Sequence, residues 1–225
     1  MDQQEILLLF KKGVIMRLMI IGLTSFLLLS LFGCGPKPIG TVSFDKIDIR
    51  SDPEQERILD APPIEIQAQG YDIKIIPKAK YDLQGIVLGR KNYNAGWNSI
   101  ISPCDLAIAW DKMVITGMYK QIEWSQSSRW YYWRYDEEFP FDNAFIARYS
   151  ANTHIIPANT NIKSAVLNIA RGDTVELIGY LAYVTADKKE NNFWWNSSLS
   201  RNDTGDGSCE IMYVTGIRHG GMFYK

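Results

Sequence analysis

Three groups of side chains in this sequence could do chemistry or recognition. The first is hydrolytic. His154 follows Asn152-Thr153 and precedes the apolar pair Ile155-Ile156. A neutral imidazole in that setting can serve as a general base. Ser198 and Ser200 flank Leu199, and Arg201 and Asp203 follow in a polar segment. A serine nucleophile, His154 as base and Asp203 as orienter would make a triad. No Gly-x-Ser-x-Gly elbow surrounds either serine. The competing reading is a hydrogen-bonded core histidine beside a turn shaped by Asp203, Thr204, Asp206 and Gly207. Asp203 and Asp206 lack the spacing of an EF-hand calcium loop. No Cys-x-x-Cys or His-x-x-x-His spacing groups ligands for zinc, so neither metal nor cofactor is expected. His219, in Arg218-His219-Gly220-Gly221, reads as exposed and inert.

The second group is aromatic. Arg129 to Arg134 reads Arg-Trp-Tyr-Tyr-Trp-Arg, and Trp194-Trp195 forms a second pair. On a strand, Trp130, Tyr132 and Arg134 share one face, while Tyr131 and Trp133 share the other. A guanidinium over such rings suits a sugar, a peptide or a protein partner. The binding candidates are therefore Arg129, Trp130, Trp133, Arg134, Trp194 and Trp195. The alternative is core packing on one face and an interface on the other.

The third group is the cysteines. Leu18 to Phe32 is an apolar stretch of about fifteen residues, preceded by Arg17, and is too short to span a bilayer as a helix. Leu31-Phe32-Gly33-Cys34 resembles the bacterial lipobox. The resemblance implies cleavage before Cys34 and diacylglycerol on its sulfur. Asp2 and Glu5 suit the start of a signal poorly, and Met16-Arg17 is a better beginning. An uncleaved anchor with Cys34 as a plain thiol is the alternative. Cys104 and Cys209 would remain, and in an oxidising compartment they are a disulfide candidate.

The elements that must position these residues are mostly strands. Period-two alternation marks Ile64–Ala68 and Tyr71–Ile75, with Pro77 expected to stop the second. Further strands are expected at 81–88, 105–110, 112–117, 127–135, 175–183, 193–199 and 209–217. Arg90–Asn98 reads as a loop, and Ala144–Ile156 is ambiguous. Asn159, Thr160 or Asn161 can cap a helix whose Ile162, Ala165, Val166 and Ile169 share a face. In Arg171–Tyr183, Gly179 permits a bend or a close backbone approach. A turn of helix is expected near Pro53–Ile58.

The fold class is therefore mainly β, or α+β: an antiparallel barrel or sandwich, an OB-like barrel among the options, with one or two short helices. Residues 1–33 read as signal, 34–63 as lipidated tether and surface extension, and 64–225 as one globular domain. The composition, 46% hydrophobic and 12% aromatic, supports a sizeable core. A net charge of −1 supplies no field for nucleic acid.

The segments Asp105–Trp110, Ser127–Arg134, Asn152–Asn159, Gly172–Leu181 and Ser198–Glu210 are together similar to a family of uncharacterised bacterial exported proteins. That resemblance implies an envelope setting and supplies no catalytic residues. The expected function is that of an envelope-anchored lipoprotein that binds a protein or glycan through its aromatic face. If the cell is Gram-negative, it sits on the periplasmic side of the outer membrane. A hydrolase using His154, Asp203 and Ser198 or Ser200 is the alternative.

Overall fold

The structure, a computed structural model, describes residues 35–41, 47–200 and 208–225. Cys34 and the signal segment before it, with Arg201, Asp203 and Asp206, lie outside those residues. The folded unit runs Pro36–Lys225. Its short strands β1 (Gly40–Thr41), β2 (Glu54–Arg57) and β3 (Ile64–Ala68) precede a long one, β4 (Tyr71–Asn92). Then follow β5 (Cys104–Ala109), α1 (Asp111–Ile115), the hairpin β6 (Glu123–Ser127) and β7 (Trp130–Arg134), and α2 (Asn143–Arg148). The chain ends with β8 (Ser150–Pro157), α3 (Thr160–Asn168), β9 (Thr174–Lys188), β10 (Asn191–Asn196), β11 (Glu210–His219) and β12 (Met222–Tyr224).

Five strands close into a barrel in the order β4-β5-β8-β11-β9, with β9 returning to β4. The β8–β11 pair is parallel and the other four are antiparallel. The sheet is thus mixed, which corrects the expectation of an antiparallel one. α3 lies between the third and fourth barrel strands. This strand order, with its helix after the third strand, is the connectivity of an OB barrel, whose ligands bind on the second and third strands and the neighbouring loops.

The barrel interior is filled from every strand: Leu83, Leu106, Ile108, Ile155, Leu177 and Met212 among others. α3 adds Ile162, Ala165 and Val166, and the residue that ends it adds Ile169, all at most 1% exposed, to that cluster. Asn159 caps it, its side chain accepting from the Ile162 N–H at 2.9 Å. β5 is buried on both faces. Leu106 and Ile108 point inward, while Ala107 and Ala109 lie under the β6–β7 hairpin with Leu88, Ile122 and Ile146. That double burial explains why this strand is almost wholly apolar. A third cluster joins β4, β9 and β10 through Ile73, Val184, Phe193 and Trp195, with Trp97 packed against it.

Other expectations are corrected by tertiary pairing. Pro77 does not end its strand; β4 runs through it, with an irregularity in register between Pro77 and Ala79 where a missing N–H is tolerated. Residues 54–57 form a strand rather than a helical turn, because β4 offers them an open edge at Ala79–Asp82. Residues 111–115 are helical despite their β-branched content, and Met113 is fully buried in the process. The ambiguous 144–156 divides into α2 and β8. Residues ahead of Ile64 join the fold, since β1 pairs with β12 and β2 with β4. Asn161 ties Lys37 and Lys225 together, accepting from the Lys37 N–H and donating to both backbone carbonyls.

Candidate functional site

Asp105 is the second residue of β5 and is fully buried. It stands opposite His154 of β8, which in turn stands opposite Ile211 of β11. The row lies across the second and third strands of the barrel. A carboxylate with no access to water needs a charged or hydrogen-bonding partner. Arg129 supplies one: its Nη1 donates to Asp105 Oδ1 at 2.7 Å, and Nη2 donates to the Ser102 carbonyl at 2.9 Å. His154 Nδ1 is 2.9 Å from the same Asp105 oxygen. Among the described residues neither that nitrogen nor Asp105 Oδ2 finds a partner in hydrogen-bond geometry.

Arg129 reaches this position because the hairpin turn is wound left-handed. Ser128 and Arg129 have φ of 52° and 71°, the two-residue turn that Asn-Gly usually fills. Left-handed backbone costs an L-residue roughly 1–2 kcal/mol, so neighbours must hold it. Tyr93 Oη accepts the Arg129 N–H at 3.0 Å, and Asn152 Nδ2 donates to the Arg129 carbonyl at 2.9 Å. The guanidinium lies 3.9 Å from the Tyr93 ring centroid and 5.5 Å from that of Trp195. Burial, then the Asp105 charge, push the Tyr93 phenol above its usual range, so its hydroxyl keeps its proton.

Above this base is a cavity of about 380 Å³ lined by Arg129, Trp130, His154, Trp194, Trp195, Asn196 and Cys209. Trp195 covers the imidazole, with ring centroids 4.5 Å apart, and Trp97 supports Trp195 edge-on. Trp194 is 70% exposed. Four of the binding candidates, Arg129, Trp130, Trp194 and Trp195, therefore converge. The other two do not join them. Trp133 packs with Trp124 and Tyr131 and donates to Asn143 Oδ1. Arg134 pairs across the hairpin with Glu123, both largely exposed.

Asp203, the third member of the expected serine triad, lies outside the described residues. Ser198 is 5% exposed, and its hydroxyl donates to the Ser200 carbonyl and accepts the Ser200 N–H. Ser200 is exposed. Among the described residues, the carboxylate beside His154 is Asp105. His219 is half-buried rather than exposed, with Nε2 2.7 Å from Asp173 Oδ2.

Among the described residues Cys104 and Cys209 are not joined in a disulfide. Cys104 begins β5, Cys209 immediately precedes β11, and β8 lies between those two strands. Two inter-strand spacings, about 10 Å, exceed the reach of roughly 7 Å that a disulfide allows. Burial, helped by the Asp105 charge, pushes the Cys104 thiol up to about 12.

A second polar cluster lies on β4, β9 and β11. Glu176 is 2% exposed and accepts from Arg218 through both oxygens. Asp82 borders a cavity of about 390 Å³ with Glu54, Glu56 and Lys80. Burial first, then the charge of Glu176 and a hydrogen bond with it, then Glu54, raise the Asp82 carboxyl to about 7. A carboxyl raised above its unfolded value of about 4 holds, when folded, a proton that the unfolded chain releases. Its stabilisation is complete below about pH 4 and is lost as pH rises towards 7. Asp82→Asn removes that titration and is expected to shrink the difference between urea midpoints at pH 5 and pH 8, chiefly by raising the midpoint at pH 8. An unaltered pH slope would contradict this assignment.

Asp105 and Tyr93 are the site residues that sequence reasoning missed. Asp105 left one signal: it is the single charge at the head of the apolar run Asp105–Trp110, and a charge there needs a partner. Comparison with protein-family profiles, curated proteins and solved structures finds no match.

Proposed function

We propose that this protein is an envelope lipoprotein, anchored through lipid on Cys34, that binds a saccharide in the cavity beneath Trp194. One observation carries the reading. Two tryptophans, a third at the hairpin tip and a guanidinium converge on one cavity, over the strands where an OB barrel takes oligosaccharides or oligonucleotides. Flat aromatic faces bind the apolar faces of sugar rings, and Arg129 is already neutralised by Asp105. The cavity therefore suits an uncharged ring better than a phosphate backbone. The lipobox-like segment supports placement beside envelope glycan.

Co-sedimentation with insoluble peptidoglycan sacculi tests this. Wild-type protein is expected in the pellet, and Trp194→Ala is expected to weaken retention about tenfold or more, as for an exposed aromatic anchor. Trp194 is 70% exposed, so its loss leaves the fold intact. Equal retention of both proteins, or none of either, would remove the reading.

A further inference from the structure

We propose that Cys209, His154 and Asp105 form a thiol nucleophile, general base and orienting carboxylate that cleave carboxylic esters at this cavity. The inference does not require that the occupant be a saccharide.

The geometry supports it in three ways. Cys209 and His154 line the same cavity. β8 and β11 are parallel, with His154 opposite Ile211, and Cys209 stands two residues before Ile211. His154 is 2% exposed, and its Nδ1 lies against Asp105, so Nε2 is the ring nitrogen left to act as a base. A base oriented from behind by a buried carboxylate, beside a nucleophile, is the arrangement that activates a weak nucleophile. The misaligned His154–Asp105 contact fits a site without substrate, where such bonds tighten on binding.

The reaction balances without any outside oxidant or reductant. Cys209 gives its proton to His154 Nε2, and the thiolate attacks the ester carbonyl carbon. The carbonyl C–O single bond breaks, and the imidazolium returns the proton to the departing alkoxide, releasing an alcohol. A thioester remains on Cys209. Water, deprotonated by His154, attacks that carbonyl; the C–S bond breaks, a carboxylic acid leaves and the thiol is restored.

The test is the pH profile of iodoacetamide alkylation in the folded full chain, with each cysteine followed by peptide mass mapping. Fully buried Cys104 is the internal control and should remain unmodified. At pH 6, Cys209 is expected to react at least about tenfold faster than glutathione, because an imidazolium-paired thiolate persists below the ordinary thiol range. His154→Gln is expected to abolish that advantage while Cys104 remains protected. Wild-type protein should also release about one equivalent of p-nitrophenol from p-nitrophenyl acetate in a burst that Cys209→Ser lacks. A Cys209 profile that follows glutathione across pH 6 to 9 overturns the proposal on wild-type protein alone, however His154→Gln folds. That outcome leaves sugar binding standing, and a failure on sacculi leaves this proposal standing.

Discussion

Asp105→Ala is expected to lower the free energy of unfolding by about 3–5 kcal/mol, the cost of removing one partner from a buried ion pair. The reason lies in what remains. Arg129, whose side chain is only 14% exposed, would keep its charge without the carboxylate 2.7 Å away. The Ser102 carbonyl, the Tyr93 ring and the Trp195 ring would still surround it, and none carries a compensating negative charge. Replacing both partners together, Asp105→Leu with Arg129→Met, is expected to recover most of the loss, since an apolar pair of similar volume is often as stable as a buried salt bridge. Urea unfolding of the two single variants and the double variant gives the coupling directly. A single-variant cost under about 1 kcal/mol would mean that water already screens the pair, as at an exposed site.

Gly179→Ala is expected to be comparably severe, at about 3 kcal/mol, the upper end of overpacking costs. Gly179 sits where β9 touches both β4 and β11, opposite Tyr81 on one side and Val214 on the other. A methyl group there would lie 2.0 Å from the Tyr213 carbonyl oxygen and 3.1 Å from Val214 Cα. Those are backbone atoms of the adjoining strand, so no rotamer change relieves the clash; the β9–β11 seam must move. Because that seam closes the barrel, thermal unfolding should fall by many degrees while far-UV circular dichroism of the folded form stays β-rich. A variant as stable as the parent would mean the seam is looser than these distances allow.

Local grammar was legible where burial and turn chemistry are local. Asn159 and the spacing of Ile162, Ala165, Val166 and Ile169 announced α3, and the structure places all four in the core. Gly179 announced a close approach, and Tyr213 provides it. The strand-rich class followed from alternation and turns. What sequence could not show is non-local. The parallel β8–β11 pairing joins residues separated by α3, β9 and β10, and no local period encodes it. Glu54–Arg57 carries no apolar period and becomes a strand because β4 has an open edge.

The site divides in the same way. Its aromatic members were visible as unusual local clusters, and Arg129, Trp130, Trp194 and Trp195 do meet. Its polar base was not. Asp105 belongs to β5, Arg129 to a hairpin tip and His154 to β8, and only the barrel brings them together. Arg134 looked equivalent to Arg129 in sequence. The left-handed turn turns Arg129 inward, whereas Arg134 pairs with Glu123 at the surface.

A saccharide site beneath Trp194, as proposed above, is read most directly by its tryptophans. The chain has seven tryptophans, so the indole N–H region of a two-dimensional ¹⁵N–¹H NMR spectrum holds one signal for each. Titration with the β-1,4-linked trisaccharide of N-acetylglucosamine, a neutral probe with the backbone chemistry of envelope glycan, reads the site directly. Trp130, Trp194 and Trp195 are expected to shift together with one saturation curve, while Trp110 in the barrel and Trp124 and Trp133 under the hairpin hold still. Shifts confined to Trp124 and Trp133, or seven unmoved signals at millimolar sugar, would contradict it.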